Sequence, residues 1–263
     1  MTTHIFYIIY HESDNISFEW LTLSLASLQK FVAVEHLILV TDNLPPDKEQ
    51  ILVSQFGVKV KRIPSTNWEG RRMLCKLEQL VLILNDYAGL DDGQVIMADA
   101  DILFCGDPYL AFNEFVFDLG YTTRFYPYPS PVNGGMVFYR NTDLIRRFVK
   151  QMCSQITNPS WEEYIECKNA DNVDWNCDQD MLNTIHRHPV FFQNTFCTLN
   201  YKIKTKDVGH KYNYCPGSDV FGTQASAVLL KWAFIERVFP VIHFKGNTKD
   251  LLYEPGFGKL LRH

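Results

Sequence analysis

Two aspartates separated by one small residue are the feature of this chain most suggestive of chemistry. Asp99 and Asp101 follow an apolar run that begins at Val95, and Ala100 lies between them. Because residues two apart in a strand point to the same face, both carboxylates are predicted to project from one side at the end of a buried strand. Adjacent unpaired carboxylates resist burial, and a divalent cation between them removes this cost. The pair indicates a metal site that grips a diphosphate, with two structural acids as the alternative.

The elements that would position this pair alternate between strands and helices through the first hundred residues. Apolar runs predict strands at residues 5–10, 36–41, 58–63 and 94–104. Periodic apolar positions and helix-ending residues predict helices at residues 17–31, 47–56 and 71–84. This order predicts an α/β fold with a mostly parallel central sheet and helices on both faces.

The pattern changes in the second part of the chain. Strands are predicted at residues 117–124, 135–140 and 241–244, and helices at 142–156, 178–186 and 223–238, with Asn141 as the N-cap of the first of these helices. No Gly/Ser linker, repeat or low-complexity tract divides the sequence. We therefore predict one domain over residues 1–263, with a nucleotide-binding half up to about residue 105 and a donor-sugar and acceptor half from about residue 106.

Composition limits the classes of function. Apolar residues make up 46% of the chain, and the net charge of −5 comes without a block of Lys or Arg. This composition supports a large core and argues against a nucleic-acid partner. The seven cysteines include no C-x-x-C pair and indicate reduced thiols. The start of the chain lacks a signal-peptide pattern, and no apolar run is long enough to span a membrane, so a cytoplasmic location is expected.

Two later segments place polar residues where a ligand could be held. Asn133 and Gly134 precede a strand, where glycine lets a backbone approach a ligand and the Asn side chain can donate and accept hydrogen bonds. The alternative is an ordinary Asn-Gly turn. Asp178 and Gln179 lie where a helix is predicted to start, and a simple N-cap explains Asp178 equally well.

A third segment carries a histidine, a glycine and a lysine at three-residue intervals. His243 ends a predicted strand and could be the nitrogen ligand of a metal, although a lone histidine is more often structural. Gly246 offers backbone access, and Lys249 can meet a phosphate as a point charge.

Together with the aspartate pair, these segments resemble the family 8 glycosyltransferases, which include glycogenin-like and lipopolysaccharide galactosyltransferase-like enzymes. The resemblance covers residues from about 4 to 250 and is carried by segments 97–104, 133–140, 178–183 and 243–249. The last segment is the most specific, because His-x-x-Gly-x-x-Lys is characteristic of that family. The resemblance implies the GT-A fold, a Rossmann-like sheet that binds a nucleotide sugar, usually a UDP-sugar, through Mn²⁺.

The resemblance also implies roles for individual residues. The implied metal ligands are Asp99, Asp101 and His243. The residues implied to hold the diphosphate are Gly246 and Lys249. The residues implied to face the donor sugar are Asn133, Gly134, Asp178 and Gln179, the last two being the catalytic candidates. Further contacts to the nucleotide sugar are implied for Tyr10, His11, Arg72, Lys76 and Ala100.

The implied activity is retaining transfer of a hexose-type sugar from UDP-glucose, UDP-galactose or UDP-GlcNAc to a hydroxyl of a glycan or protein acceptor. An imidazole ligand favours Mn²⁺, with Mg²⁺ as the alternative cation. Three other functions remain open. A UDP-sugar-binding protein without turnover would share these residues, a sugar nucleotidyltransferase would need a Gly-rich signature after the first strand, and a haloacid dehalogenase-type phosphatase would carry its acid pair on an early strand.

Overall fold

The structure is a computed structural model that describes residues 2–12, 17–65, 72–90, 93–124, 131–156, 173–187, 203–215 and 239–244. The strands in these ranges are β1 (His4–Tyr10), β2 (His36–Thr41), β3 (Lys59–Arg62), β4 (Gln94–Ala98), β5 (Ile102–Phe104), β6 (Leu119–Thr123), β7 (Val132–Arg140), β8 (Thr205–Asp207) and β9 (Val241–His243). The helices are α1 (Phe18–Gln29), α2 (Pro46–Phe56), α3 (Arg72–Asp86), α4 (Leu110–Glu114), α5 (Asp143–Ile156) and α6 (Val173–Arg187).

The central sheet has the strand order β3-β2-β1-β4-β7-β6-β8. The pairs β3–β2, β2–β1, β1–β4 and β6–β8 are parallel, whereas β7 runs antiparallel to both of its neighbours. The predicted mostly parallel sheet is therefore confirmed. The strand order changes direction between β1 and β4, and ligands of open α/β sheets bind outside the carboxyl ends of the strands at such a point.

Helices cover both faces of the sheet, which explains why the buried strands do not alternate between apolar and polar residues. In β1, Ile5 and Tyr7 belong to a core that includes residues of α3, α5 and α6. Phe6 and Ile8 belong to a second core, which includes residues of α1 and α2. Each face of β1 is thus sealed by its own layer of helices.

Local sequence signals fix several helix ends. Ser17 caps α1, because its Oγ accepts a hydrogen bond from the backbone N–H of Trp20 at 3.3 Å. Gly57 ends α2 in the left-handed region, with a φ of 66°. The predicted N-cap of α5 is wrong by one residue. Thr142 accepts the capping bond from the N–H of Ile145, whereas the Asn141 side chain donates to the carbonyl of Tyr87.

The largest difference from the predicted elements lies at the aspartate pair. Residues 94–104 do not form one strand, because β4 ends at Ala98 and residues 99–101 form a turn. Strand β5 then leaves the central sheet and pairs antiparallel with β9. The partner strand β9 lies far along the chain, so no local sequence pattern predicts this break.

Two other elements begin at residues different from those predicted. Helix α6 begins at Val173 rather than at residue 178, and β7 begins at Val132 rather than at residue 135. The short elements α4 and β8 were not predicted, and the helix predicted at 223–238 lies outside the described residues. Within the described ranges, no helix is both long and apolar enough to cross a membrane.

Candidate functional site

The candidate site lies at the carboxyl end of β4, where β7 carries a bulge. Tyr121 of β6 lies opposite Val137, but the next residue, Thr122, lies opposite Asn133, so residues 134–136 are extra in β7. On its other side β7 stays bonded, since the N–H of Asp99 donates to the carbonyl of Gly135 at 2.9 Å. Bulges redirect side chains and backbone groups at active sites. This bulge places the double-glycine segment, Gly134 and Gly135, beside the aspartate pair.

Three potential metal ligands converge here. Nε2 of His243 lies 3.1 Å from Oδ1 of Asp101 and 3.7 Å from Oδ2 of Asp99. One ligand atom from each residue falls within 4.8 Å of the others. His243 is fully buried, whereas Asp99 keeps 30% of its side chain exposed. The cluster is therefore buried on the His243 side and open to solvent on the Asp99 side.

The predicted convergence of the two aspartates occurs, but not for the predicted reason. The carboxylates meet because the chain turns at Ala100, which is itself buried, and not because strand alternation aligns them. The pairing of β5 with β9 sets Ile102 opposite His243, and the N–H of Phe244 donates to the carbonyl of Asp101 at 3.0 Å. The pairing of β5 with β9, a two-stranded ribbon, thus places His243 beside the two aspartates.

Lys76 joins the cluster to the rest of the site. Its ammonium donates to Oδ1 of Asp99 at 3.0 Å and to the carbonyl of Gly134 at 3.2 Å, and it lies 3.6 Å from Oδ2 of Asp178. Burial alone would lower the pKa of this lysine, but the carboxylates of Asp99 and Asp178 outweigh burial and hold its pKa above the usual range. Lys76 is therefore a permanent cation between two acids.

Asp178 lies inside helix α6, so the N-cap interpretation is wrong. It is almost fully buried, and burial raises its pKa, with Lys76 opposing the rise and Asp99 adding to it. Its Oδ1 accepts from the N–H of Gln179 at 2.8 Å. Gln179 in turn accepts from the N–H of Gly134 at 3.4 Å. These two side chains and Lys76 hold the glycine segment from the α6 side.

The charges of this cluster fit a divalent cation. Asp99 and Asp101 bring two carboxylates to the imidazole of His243, while the ammonium of Lys76 lies between Asp99 and Asp178. A divalent cation held between Asp99 and Asp101 would offset the repulsion of these two adjacent carboxylates. Two carboxylate oxygens and an imidazole nitrogen also form a mixed O/N ligand set of the kind that suits Mn²⁺. The residues present therefore fit the predicted metal, whose binding stays a prediction.

At the end of β1, Tyr10 and His11 are placed differently. The Tyr10 ring is buried in the core, and its hydroxyl has no hydrogen-bond partner among the described residues. His11 is partly exposed, and its Nδ1 lies 2.8 Å from Oδ1 of the buried Asp42, which follows β2. His11 thus faces the carboxyl edge of the sheet. Arg72 begins α3, and its side chain, like Gly246 and Lys249, lies outside the described residues.

Three residues of the site were missed by reasoning from sequence. The ring of His243 packs against the backbone of Gly135, where a β-carbon would lie 2.1 Å from Cε1. Behind the ring, Asn213 lies 2.9 Å from Nδ1 of His243 and donates to Oγ1 of Thr122 at 2.8 Å. The double glycine was a visible signal for Gly135, but no local pattern marks Asn213 or Thr122.

Known proteins resemble this chain in structure rather than in sequence. No protein-family profile matches it, and neither does any curated protein sequence. The galactosyltransferase LgtC, solved with donor and acceptor sugar analogues, is similar with a TM-score of 0.59 and 13% identity, over 100% of this chain and 95% of LgtC. Mouse xyloside xylosyltransferase 1 is similar with a TM-score of 0.53 and 12% identity, over 94% of this chain and 99% of that protein.

The apo form of the glycosyltransferase GlyE from Streptococcus pneumoniae is similar with a TM-score of 0.55 and 12% identity, over 99% of this chain. The chain has the GT-A fold. The predicted GT-A fold, with its mostly parallel central sheet, is thus confirmed. This chain spans 62% of the length of GlyE, whereas its match to LgtC covers nearly all of both GT-A chains.

Proposed function

We propose that this protein is a Mn²⁺-dependent, retaining glycosyltransferase that moves a hexose from a UDP-sugar to a hydroxyl group of a glycan or protein. The observation that carries the proposal is the convergence of Asp99, Asp101 and His243 at the carboxyl end of β4, next to β1, on a GT-A fold. The likeness to LgtC, which was solved with donor and acceptor sugar analogues, supports the same assignment.

Asp99, Asp101 and His243 would hold the cation together with diphosphate oxygens of the donor. When bound, the cation supplies Lewis-acid stabilisation of the negative charge that develops on the departing UDP. The partly exposed carboxylate of Asp99 gives the diphosphate a side from which to approach. The resemblance adds Gly246 and Lys249 as further diphosphate contacts.

Lys76 is suited to stabilise the same charge from the protein side. Its ammonium is buried, stays charged and contacts Asp99, the ligand closest to solvent. A fixed cation in a water-poor site stabilises a leaving group more strongly than one in water. Because the same ammonium lies 3.6 Å from Asp178, the phosphate side and the sugar side of the donor site meet at Lys76.

We assign the sugar side to Gly134, Asp178 and Gln179. Gly134 lies against both side chains, since a β-carbon at this position would be 3.5 Å from Oδ2 of Asp178 and 3.6 Å from Cβ of Gln179. We infer that Asp178 orients the sugar rather than attacking it, because its carboxylate is already held by Lys76 and by the N–H of Gln179. The acceptor hydroxyl would then attack from the face that UDP leaves.

The nucleoside would lie over the carboxyl ends of β1 and β2. Ligands of this sheet type bind at the point where the strand order changes direction, which here is between β1 and β4. His11 lies at this edge and is fixed by Asp42. The N–H of Glu12 donates to Oδ1 of Asn43 at 3.0 Å, which joins the loops after β1 and β2 into one support for the nucleotide.

The test is UDP release from a panel of UDP-sugars with Mn²⁺, Mg²⁺ or EDTA and no added acceptor. Slow hydrolysis of one donor that requires Mn²⁺ supports the proposal and names the sugar. Asp101→Asn is the matched control and should lose this hydrolysis. If calorimetry detects no UDP-sugar binding to the wild-type protein and no donor is hydrolysed, the proposal is wrong. Binding of a UDP-sugar without turnover, even with candidate acceptors added, would instead indicate a binding protein.

A further inference from the structure

A short chain of hydrogen bonds supports His243 on the side away from the aspartates. Oδ1 of Asn213 lies 2.9 Å from Nδ1 of the imidazole. The amide nitrogen of Asn213 lies 2.8 Å from Oγ1 of Thr122 and 3.4 Å from the backbone carbonyl of Asn133. Asn213, Thr122 and His243 are all buried to 99% or more. Water therefore does not compete for these contacts.

The backbone carbonyl of Asn133 decides which way the Asn213 amide points. A carbonyl oxygen only accepts hydrogen bonds, so the atom of Asn213 that faces it must be the donating nitrogen. The hydroxyl of Thr122 fits this orientation, since it donates to the same carbonyl at 3.0 Å and accepts from the amide. Reversing the amide would set two oxygens against each other in a buried place.

This orientation determines where the proton of His243 resides. The oxygen of Asn213 faces Nδ1 and can only accept, so Nδ1 must carry the hydrogen. In the neutral ring the other nitrogen then has a lone pair. That nitrogen, Nε2, faces Asp101 at 3.1 Å and Asp99 at 3.7 Å.

We infer that Asn213, anchored by Thr122 and the Asn133 carbonyl, is a positioning residue that holds the proton of His243 on Nδ1 and presents Nε2 to the cation. Outer partners of metal-binding histidines act in this way, and their removal weakens metal binding about 10- to 100-fold. The inference rests on the proposed function, because it concerns the same Asp99–Asp101–His243 cluster.

The chain of hydrogen bonds through Asn213 and Thr122 also connects His243 to the bulge in β7. Thr122 and Asn133 are the residues where the pairing of β6 with β7 resumes after the shift in register. The Oδ1 of Asn133 accepts from the N–H of Gly135, against which the His243 ring packs. One set of hydrogen bonds thus fixes the bulge, the ring and the position of the proton.

The first test measures the proton directly in the wild-type protein. With ¹⁵N-labelled histidine, long-range ¹H–¹⁵N correlation spectra distinguish a proton on Nδ1 from one on Nε2. In the metal-free protein, at a pH where the ring of His243 is neutral, we expect the Nδ1–H form. The Nε2–H form as the main species would overturn the inference. The His243→Gln spectrum assigns the signal.

The second test measures Mn²⁺ affinity by calorimetry and by electron paramagnetic resonance. Asn213→Leu should weaken binding about 10- to 100-fold, because Nδ1–H loses its acceptor. Asn213→Asp keeps the acceptor for Nδ1–H and should bind Mn²⁺ more tightly than Asn213→Leu, but below wild type, because its second oxygen cannot donate to Thr122 and faces the Asn133 carbonyl. Thr122→Val should weaken binding less than Asn213→Leu does, whereas Thr122→Ser keeps the hydroxyl and should restore it.

Asp101→Asn separates the two possible failures. If Asp101→Asn abolishes Mn²⁺ binding while Asn213→Leu and Thr122→Val leave it unchanged, the positioning role is wrong and the proposed function stands. If none of the three variants changes Mn²⁺ binding, the cation does not bind at this cluster, and the proposed function fails as well. The Thr122 pair keeps the test decisive even if Asn213→Leu does not fold.

Discussion

The imidazole of His243 lies directly against the backbone of Gly135. A β-carbon at position 135 would lie 2.1 Å from Cε1 and 2.4 Å from Nδ1 of the ring, and 3.0 Å from Oδ2 of Asp99. No side chain can be accommodated at these distances unless the histidine or the strand moves. The second glycine of the double-glycine segment therefore makes room for a protein side chain rather than for a ligand.

Gly135→Ala should displace His243 and abolish Mn²⁺ binding, since the ring and the new methyl group cannot occupy the same space. Gly134→Ala is the matched control. A β-carbon at position 134 makes only ordinary contacts, the nearest being 3.5 Å from Oδ2 of Asp178. We expect Gly134→Ala to bind Mn²⁺ like the wild type in calorimetry. Equal Mn²⁺ affinities for the two alanine variants would contradict this packing.

Asp101→Asn should remove Mn²⁺ binding and Mn²⁺-dependent UDP release while the protein stays folded. The substitution keeps the size of the side chain but removes a charged ligand oxygen 3.1 Å from Nε2 of His243. Circular dichroism and the thermal midpoint would establish folding, and calorimetry would establish metal affinity. An Asp101→Asn protein that still releases UDP in a Mn²⁺-dependent way would rule out the proposed ligand set.

Lys76→Met should destabilise the protein by about 3–5 kcal/mol, because removing one partner of a buried ion pair leaves the other charge uncompensated. Lys76 is 2% exposed and Asp178 is 4% exposed at the side-chain level. The double variant Lys76→Met/Asp178→Asn should recover much of this loss. Lys211→Met, which breaks an exposed pair with Glu114, is the control and should cost no more than about 1 kcal/mol. Urea unfolding measures all three, and equal stabilities of the single and double Lys76 variants would contradict the pairing.

Asp178→Asn should reduce sugar transfer without reducing Mn²⁺ affinity, since we assign this residue to the sugar side of the donor site and not to the metal ligands. If Asp178 only orients the donor, mass spectrometry of wild type quenched during turnover should detect no sugar attached to it. A glycosyl adduct on Asp178 would show that the carboxylate attacks the donor. Arg187→Gln, an exposed change at the far end of the same helix, serves as the control for nonspecific effects.

Gly57→Ala should destabilise the protein by about 1–2 kcal/mol, because Gly57 adopts a φ of +66° at the end of α2. No atom would obstruct the new methyl group, so the cost reports backbone conformation alone. Gly89→Ala is the control, since position 89 has open space and no positive φ. It should be neutral or stabilising by up to about 1 kcal/mol. Thermal unfolding of both variants measures the difference.

The residues that meet at the site were predicted from the order of four segments that together resemble a known family. The acid pair and the late histidine each left a structural role open, and it was the family resemblance of their segments that predicted Asp99, Asp101 and His243 as partners at one site. What could not be predicted is how they meet. The break after Ala98 depends on the pairing of β5 with β9, and pairing between distant segments leaves no trace in a local window.

The supporting residues Asn213 and Thr122 could not be predicted for a related reason. Asn213 follows a short 3₁₀ turn at His210–Tyr212, where an asparagine is an ordinary residue. Its importance comes from the Nδ1 of His243 and from Thr122, both brought to it by folding. The start of α6 was likewise placed too late, because the acid Asp178 resembled a cap although it lies inside the helix.

The ribbon formed by β5 and β9 also determines when the site can exist during synthesis. A nascent chain that has left the ribosome only as far as residue 215 contains both aspartates, Lys76 and Asn213, but not the imidazole, which arrives with β9. Contacts between such distant segments form late, because the intervening chain must first be ordered. Under the proposed function, high-affinity binding of the cation therefore requires β9 to be synthesised and paired with β5.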